Sequence, residues 1–438
     1  MAFLICGGRP LCGRIKAEGA KNAALPMIFA TLLTREPVTL YGLPEILDVE
    51  IALSLLCDMG ASVKRGADGG VTLSTEKAKA PDASLFRVRE LRASAYLLGA
   101  SLARFGGGAI PHTGGCALGC RPLDYHRAAF RALGATWEED ETGITVWGER
   151  LCGTSFALPY PSVGATVNFI LAALGAEGES TLFGFAGEHH VLDFIAFLRT
   201  LGARIRIEGQ CLRVEGGARL HGGCYTVAPD AIEAGTYLIA AAATGGEVTV
   251  ERVRYAELSP LLLAFGRMNV PFRFCGDAVT VYPVKHPVGT AVTAAPYPSF
   301  PTDLHPPMTV LLALASGGGT MCDLVFSDRF AYAEELKKMG ARIQRAPRGL
   351  RILESRLRGA CVSAPDLRGG AALLVAALAA EGESRLSGEQ YLARGYAHLL
   401  TKLFSLGADV KVVQDSVAAS VLASPETHTA ECTAKEGE

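Results

Sequence analysis

The chain of 438 residues has no long hydrophobic run and no run of basic residues. No apolar stretch reaches the roughly 18 residues that a membrane-spanning helix needs, so we expect no membrane insertion. The formal net charge is −2 and basic residues do not occur in runs, which argues against nucleic acid as a partner. The first residues lack a charged segment followed by a long apolar one, so no secretory signal peptide is predicted.

Several common functional signatures are also missing. The chain has no Gly-x-Gly-x-x-Gly fingerprint, no Walker-type phosphate loop and no Ser-His-Asp arrangement. Its 12 cysteines are spread along the chain, a pattern typical of free thiols in a reducing cytoplasm rather than of a disulfide framework. We therefore expect a cytoplasmic protein. Residues 425–438 show no periodicity and are predicted to form a disordered tail.

What the chain does contain is a repeat. Six short phrases of the Leu-Gly-Ala type follow apolar, helix-like stretches, and their glycines (an asparagine in the fourth copy) are 67 to 74 residues apart. Glycine adopts the left-handed conformation that ends a helix without a Cβ penalty, so each phrase predicts a helix C-terminus followed by a strand. The six positions are Gly60, Gly134, Gly202, Asn269, Gly340 and Gly407.

A nearly uncharged helix begins 37 to 42 residues before each of these caps. These helices are rich in Ala, Leu and Val, so they should be buried on nearly all sides. Two markers with the same period favour one supersecondary unit built six times over ordinary βαβ alternation with accidental regularity. Because the chain is too long for one core, six units predict an α/β protein of two domains with three units each.

The polar residues that start these helices are the first candidates for chemistry: Lys21, Arg92, Ser162, Asp230, Asp303 and Arg368. Ser and Asp are good N-caps, so capping competes with a functional role at three of these positions. A cation at a helix N-terminus opposes the helix dipole, so helix stability does not explain the other three. Three cations beside exposed backbone N–H groups predict an anion-binding site, with solvated surface charge as the alternative.

The second candidate is the glycine-rich loop 112–126. Cys116 lies among glycines with Arg121 nearby, the setting of an exposed thiol with increased reactivity. Two alternatives compete with this interpretation. Zinc could be bound by a set of two histidines and two cysteines, and a disulfide could join the two cysteines. The four residues are His112, Cys116, Cys120 and His126.

The third candidate is Asp303, which two prolines precede in the segment PSFPTDLH at 298–305. A carboxylate held at a helix start can act as a general base toward a hydroxyl group. The residues by themselves therefore predict a two-domain enzyme with an anionic substrate, a reactive thiol and a carboxylate. They do not predict which reaction it catalyses.

The same residues lie in motifs that resemble those of the UDP-N-acetylglucosamine 1-carboxyvinyltransferase family of enolpyruvyl transferases. The resemblance extends from about residue 8 to about residue 412. The motifs, in order, are GAKNAALP (19–26), LRASAYLLG (91–99), GGCALGCRPLDYH (114–126), SVGAT (162–166), PD-x-IEAGT (229–236), FPTDL (300–304), DRF (328–330), DLR (366–368) and RGY (394–396).

This resemblance implies a fold of two inside-out α/β barrel domains, each of three repeats. It assigns residues 1–20 and 230–424 to a C-terminal domain that includes the first strand, and residues 21–229 to an N-terminal domain with the Cys116 loop. The implied reaction moves the enolpyruvyl group of phosphoenolpyruvate to the 3′-hydroxyl of UDP-N-acetylglucosamine and releases phosphate. This is the first committed step of peptidoglycan synthesis. No metal, organic cofactor or obligate protein partner is implied.

The resemblance also implies residue roles. Lys21, Arg121 and Arg394 would hold phosphoenolpyruvate, supported by Arg92 and Arg368. Cys116 would be the general acid and the target of the epoxide fosfomycin, and Asp303 would take the 3′-hydroxyl proton. Catalysis would involve Cys116, Asp303, Lys21 and Arg394. The implied contacts to the sugar nucleotide are Asn22, Arg121, Pro122, Leu123, Asp124, Ser162, Val163, Gly164 and Val325.

Some positions depart from the family pattern. Leu47, Tyr160 and Ala231 stand where the family usually has lysine or arginine, FSDRF replaces FENRF, and His305 with two prolines replaces a Gln-containing run. Because several changes remove positive charge, three readings stay open. They are the cell-wall enzyme itself or a divergent copy of it, an enolpyruvyl transferase with another nucleotide or phosphorylated acceptor, and a catalytically inactive paralogue. The shikimate branch is disfavoured because its Gly-Asn-Ala-Gly-Thr-Ala-Met-Arg-like motif is absent.

Overall fold

A computed structural model describes residues 1–114 and 122–414 of the chain. The predicted tail and the predicted loop residues Cys116, Cys120 and Arg121 lie outside these ranges. The described part contains the following α-helices: α1 Lys21–Ala30, α2 Leu47–Asp58, α3 Tyr96–Phe105, α4 Asp124–Ala132, α5 Val163–Leu174, α6 His189–Thr200, α7 Ala231–Thr244, α8 Tyr255–Arg267, α9 His305–Leu314, α10 Tyr332–Lys338, α11 Leu367–Ala379, α12 Glu389–Leu392 and α13 Leu399–Ser405.

The strands of the described residues are β1 Ala2–Cys6, β2 Cys12–Lys16, β3 Val38–Tyr41, β4 Ser62–Arg65, β5 Val71–Ser74, β6 Gly107–Pro111, β7 Thr136–Glu139, β8 Gly143–Trp147, β9 Ser155–Ala157, β10 Glu179–Phe183, β11 Arg204–Glu208, β12 Cys211–Glu215, β13 Gly223–Thr226, β14 Glu247–Glu251, β15 Phe272–Cys275, β16 Ala278–Val281, β17 Ala291–Ala294, β18 Gly319–Asp323, β19 Arg342–Ala346, β20 Gly349–Leu353, β21 Cys361–Ser363, β22 Glu383–Ser387 and β23 Asp409–Val413. They form six sheets, in the orders β13-β3-β5-β4, β6-β8-β7, β9-β10-β12-β11, β2-β14-β16-β15, β17-β18-β20-β19 and β21-β22-β1-β23.

The helix ends confirm the period read from the sequence. All six cap residues have positive φ, from 56° at Asn269 to 97° at Gly202. Each lies just after one of the outer helices α2, α4, α6, α8, α10 and α13, and a strand follows it. The repeated phrase therefore marks the turn from the outer helix to the next strand, because that turn requires the left-handed backbone conformation.

The predicted charge-poor helices are the buried centre of the molecule. Helices α1, α3 and α5 pack together within one hydrophobic core, and α7, α9 and α11 pack together within a second. Every residue of α11 from Leu367 to Leu378 is buried. A helix surrounded in this way has no polar face, which explains its composition. With helices inside and sheets outside, each set of three repeats has the inside-out arrangement predicted above.

The N-terminal strands join the C-terminal half. Strand β1 pairs antiparallel with β22 and β23, and β2 pairs parallel with β14. The two segments that cross between the halves run side by side, where Ala20 N donates to Ala228 O and Asp230 N donates to Glu18 O. This pairing supports domain boundaries at residues 20 and 229, which stay a prediction. No helix in the described ranges is long and apolar enough to cross a membrane.

Candidate active site

A cleft of about 240 Å³ lies where the first residues of the central helices converge. Its walls include Lys21 of α1, Arg92 just before α3, Gly164 of α5 and Asp303 just before α9. Polar groups collect here because the helix interiors are packed by apolar side chains, and only the helix ends can present charge to solvent. Further lining residues from both halves are Asn22, Asp48, Leu123, His126, Arg329, Asp366, Arg368 and Arg394.

One side of the cleft holds a carboxylate between two guanidinium groups, which we call the base cluster: Asp303, Arg329 and Arg368. Arg329 Nη1 donates to Asp303 Oδ1 at 2.8 Å, and Arg368 Nη2 donates to Asp303 Oδ2 at 2.9 Å. Burial by itself would raise the pKa of Asp303, but Arg368 and Arg329 outweigh it and hold that pKa well below its usual range. Asp303 is therefore ionised whenever the protein is folded near neutral pH.

The other side holds the bridging cluster: Lys21, Asp48 and Arg394. Lys21 Nζ lies 2.6 Å from Asp48 Oδ2, and Arg394 Nε donates to Asp48 Oδ1 at 2.7 Å. Arg394 Nη2 also donates to the Glu90 carbonyl oxygen at 2.7 Å. Arg394 comes from the C-terminal half and its partners come from the N-terminal half. Residues more than 300 positions apart in sequence therefore meet at this point.

A buried network lies behind the base cluster. Asp323 Oδ2 accepts from Thr302 Oγ1 at 2.6 Å and lies 3.0 Å from His305 Nδ1. Asp323 Oδ1 accepts from the backbone N–H groups of Val325 and Phe326 at 2.8 and 3.0 Å. Burial raises the pKa of Asp323, but hydrogen bonds from His305, Thr302 and Phe326 outweigh it, so the pKa is lowered. The carboxylate is ionised and has a donor on every side.

His126 closes the N-terminal side of the cleft. Its Nδ1 lies 2.7 Å from Asn168 Nδ2, and a Cβ atom built on Gly164 would lie 2.9 Å from its Nε2. Burial, with a smaller effect from Arg92, lowers the pKa of His126 to about 3, so the imidazole is neutral. Glycine at position 164 is therefore required by the close approach of this ring.

The structure decides several of the alternatives left by the sequence. Ser162 and Asp230 do cap their helices, since their side chains accept from backbone N–H groups at the starts of α5 and α7. Asp303 caps nothing, because both its oxygens face guanidinium groups. Arg368 is buried and paired, so solvated surface charge does not explain it. Within residues 1–114 and 122–414 no group of three His, Cys, Asp or Glu could hold a metal ion.

The predicted site residues divide into three groups. Those that line the cleft are Lys21, Asn22, Arg92, Leu123, Gly164, Asp303, Arg368 and Arg394. Those described but outside its lining are Pro122, Asp124, Ser162, Val163 and Val325. Cys116 and Arg121 lie outside the described residues. The assigned roles stay predictions in all three groups.

Sequence reasoning missed Asp48, Arg329 and His126 as parts of this site. Arg329 lies in the motif DRF, which served only as a marker of resemblance, and Asp48 directly follows Leu47, which was considered only as a departure from the family pattern. Neither residue stands out locally, because Asp48 has Glu50 two positions away and Arg329 directly follows Asp328. His126 was considered only as a zinc ligand, whereas it is a neutral histidine bonded to Asn168.

Comparisons with known proteins agree with this architecture. The family described as EPSP synthase (3-phosphoshikimate 1-carboxyvinyltransferase) matches residues 5–403. A UDP-N-acetylglucosamine 1-carboxyvinyltransferase of Thermus thermophilus is 43% identical over 417 residues, which cover 94% of this chain and 97% of the relative. The enzyme of the same name from Clostridium botulinum is 40% identical over 410 residues, covering 93% of this chain and 98% of the relative.

Solved structures show the same fold. The enolpyruvyl transferase NikO from Streptomyces tendae superposes with a TM-score of 0.85 at 26% identity, covering 94% of this chain and 98% of that one. An EPSP synthase from Acinetobacter baumannii superposes with a TM-score of 0.71 at 22% identity, covering 94% of this chain and all of that one, and shows the fold alone. With the two relatives above, these matches place the chain in the enolpyruvyl transferase family, in the group that contains the UDP-N-acetylglucosamine 1-carboxyvinyltransferases.

Proposed function

We propose that this protein transfers the enolpyruvyl group of phosphoenolpyruvate to the 3′-hydroxyl of UDP-N-acetylglucosamine and releases phosphate, as an early step of peptidoglycan synthesis in the cytoplasm. The observation that carries the proposal is the base cluster, an ionised carboxylate fixed by two guanidinium groups in a cleft that also presents the cations of the bridging cluster. The names of relatives that are about 40% identical over nearly the whole chain support the choice of substrates.

Phosphoenolpyruvate would bind on the side of Lys21, Arg92 and Arg394. It carries about three negative charges, and several preorganised cations in a partly enclosed cleft stabilise such an anion far more than water does. Arg121, outside the described residues, would add a fourth cation. Asp48 holds Lys21 and Arg394 together, so it fixes the geometry that the substrate meets.

Bond making would take place between the two clusters. The 3′-oxygen of the acceptor bonds to C2 of phosphoenolpyruvate while its proton passes to Asp303, and C3 gains a proton from Cys116. Phosphate then leaves from C2 as C3 returns a proton to the Cys116 thiolate, which restores the double bond, and the proton on Asp303 leaves with the phosphate. Paired with two arginines, Asp303 is a weak base, so its contribution lies in orienting the hydroxyl and taking the proton late in the transfer.

The second candidate function is transfer to a different acceptor. The positions that depart from the family pattern favour it. Leu47 is 45% exposed at the rim of the bridging cluster, where the family usually has a cation. Tyr160 has a buried hydroxyl for which the described residues provide no hydrogen-bond partner, and its pKa is raised by burial and by the nearby Asp323 and Glu188 carboxylates. A site with fewer cations would suit a less charged nucleotide.

The test is phosphate release from phosphoenolpyruvate with a panel of acceptors, with the product identified by mass spectrometry. UDP-N-acetylglucosamine should support turnover and should gain the mass of one enolpyruvyl group. Turnover with another nucleotide or phosphorylated sugar alone would select the second candidate. Release with none of them would identify an inactive paralogue.

Fosfomycin provides a second, independent test of the proposal. Mass mapping after treatment should find Cys116 modified ahead of the other 11 cysteines. Cys116→Asp can still supply a proton and should keep some turnover, whereas Cys116→Ala should not. Modification spread over many cysteines, or absent at 116, would contradict the assignment of the reactive thiol.

A further inference from the structure

His305 is a buried histidine that the proposed reaction does not use. It is the first residue of α9, two positions after Asp303, and its side chain is completely buried. Burial lowers its pKa despite the opposing effect of Asp323, so the ring is neutral and carries one proton. A neutral imidazole has one donor and one acceptor nitrogen, and its neighbours determine which is which.

The neighbours of His305 fix its tautomer. Asp323 is ionised and can only accept, so the His305 proton is on Nδ1, which donates to Asp323 Oδ2 across 3.0 Å. Nε2 must then accept, and the Tyr332 hydroxyl lies 2.7 Å from it as the donor. Tyr332 in turn lies 2.8 Å from Thr309 Oγ1. The ring is therefore held on both edges in one orientation.

The next residue in this series of hydrogen bonds is Thr302. Its hydroxyl has one proton, which it donates to Asp323 Oδ2 at 2.6 Å. Thr302 Oγ1 can then only accept from Arg329 Nη1, which lies 3.1 Å away. The same Nη1 donates to Asp303 Oδ1 at 2.8 Å. Each hydrogen bond from His305 to Asp303 thus has a fixed direction, and the bonds form one continuous series.

We propose that His305 is a positioning residue, which acts through Asp323 and Thr302 to hold the Arg329 guanidinium on Asp303. This inference rests on the proposed function for its catalytic consequence, since Asp303 is the proposed base. The geometric consequence can be observed without any activity. Without the Nδ1 donor, Asp323 loses one of its two partners on Oδ2, and the Thr302 hydroxyl is free to take another direction.

Two substitutions separate positioning from packing. His305→Leu removes both polar edges, whereas His305→Gln keeps an amide donor for Asp323 and a carbonyl acceptor for Tyr332. Displacement of a catalytic group by about 1 Å can cost roughly 100-fold in rate. We therefore expect kcat to fall roughly 100-fold in His305→Leu and to stay within about threefold of the parent in His305→Gln. The KM for phosphoenolpyruvate should be unchanged in both variants, because neither substitution touches the bridging cluster.

Thr302→Val covers the case in which His305→Leu does not fold. It keeps the His305–Asp323 pair and removes only the hydroxyl that joins Asp323 to Arg329. Thr75→Val is the matched control, because Thr75 is a buried threonine in the N-terminal half whose hydroxyl donates to backbone oxygens of residues 31 and 34. Thr302→Val should lower kcat as His305→Leu does, and Thr75→Val should change stability alone.

Crystal structures of the variants provide the readout that is independent of turnover. We expect Arg329 Nη1 to leave Asp303 Oδ1 in His305→Leu and Thr302→Val and to stay in His305→Gln. If Arg329 keeps its place and kcat is unchanged in both disruptive variants, the positioning role is wrong. If the parent releases no phosphate but Arg329 still moves in these variants, the proposed function fails and the positioning role stands.

Discussion

The base cluster and the bridging cluster are built from the same kinds of residues but are held in different ways. In the base cluster all three side chains come from the C-terminal half, and both arginines are only 3% exposed. In the bridging cluster Lys21 and Arg394 are 13% and 15% exposed and come from opposite halves. One cluster is therefore an internal part of a single core, whereas the other exists only while the two halves are together.

The difference suggests how the cleft can be both rigid and able to open. The arginines of the base cluster donate hydrogen bonds to Thr302 and Tyr396 of the same half, and Thr302 in turn donates to Asp323. The geometry of the cluster therefore does not depend on the other half. The contacts of the bridging cluster, by contrast, run between the halves, and they include the bonds from Arg394 Nη2 to the Glu90 carbonyl, from Leu47 N to Ala393 O and from Lys21 N to Asp230 Oδ2. Separation of the halves would disperse the bridging cations while leaving Asp303 and its arginines in place.

The largest effect should come from Asp303→Asn. Removing a general base costs roughly 100- to 10,000-fold in kcat. The substitution also removes the counter-ion that two buried arginines share, at a cost of roughly 3–5 kcal/mol. Phosphate release and thermal unfolding should therefore both change. Asp193→Asn is the matched control, since Asp193 is a buried carboxylate that bonds Tyr225 and Ala228 N away from the cleft.

The stability loss in Asp303→Asn should also depend on pH. The pKa of Asp303 is lowered in the folded state, so its ionised form stabilises the protein above the unfolded pKa of about 3.9, and this contribution disappears as the pH falls. The difference in Tm between parent and variant should therefore hold from neutral pH down to about 4 and shrink only below it. A variant that keeps its Tm at neutral pH and its activity would show that the base cluster has neither role.

Arg394→Ala should have the next largest effect, on substrate affinity. A hydrogen bond to a charged group contributes roughly 1.5–3 kcal/mol, so the Kd for phosphoenolpyruvate should rise roughly 10- to 150-fold. Isothermal titration calorimetry measures it. Arg213→Ala is the matched control, because Arg213 is paired with Glu179 and Glu208 on an exposed sheet surface. Unchanged affinity in Arg394→Ala would show that the bridging cluster is not part of the phosphoenolpyruvate site.

The sequence predicted the repeats better than it predicted the contacts between them. The caps and the charge-poor helices follow local rules, so their period predicted six units and the places where polar residues emerge. The partners of those residues are set by the packing of distant segments. Nothing near Lys21 in sequence predicts Asp48 between it and Arg394, and nothing near Asp303 predicts Arg329. The roles assigned by resemblance supplied the substrates but not these pairings.

Asp48→Asn tests the bridging cluster by itself, and we expect it to reduce stability less than Asp303→Asn does. It removes the charge that joins Lys21 to Arg394 but leaves the base cluster untouched. Because both cations are partly exposed and can regain water, we expect a stability loss of about 1 kcal/mol, well below that of Asp303→Asn. A more open average distance between the halves, measured by small-angle scattering, should accompany it.

Glu50→Gln is the matched control for Asp48→Asn, because Glu50 lies on the same helix and pairs with Arg65 at the surface. It should change neither the scattering profile nor the affinity for phosphoenolpyruvate. An Asp48→Asn protein that scatters like the parent would mean that the bridging cluster does not hold the halves together.

The smallest effect is expected where the chain has lost cations. Leu47 is 45% exposed beside the bridging cluster, and Ala231 is the first residue of α7, directly after the N-cap Asp230. If UDP-N-acetylglucosamine is the acceptor, Leu47→Lys with Ala231→Arg should tighten its binding by about 1 kcal/mol at low ionic strength, because two exposed cations add a screened attraction to the diphosphate. Leu263→Lys, at a 63% exposed position on α8, is the control for added charge elsewhere.

Calorimetry should show that the gain in affinity becomes smaller as the salt concentration is raised. A gain that persists at high salt would point to a new contact rather than to restored charge. No gain at any salt concentration, together with clear binding of another nucleotide by the parent, would assign the cleft to a different acceptor.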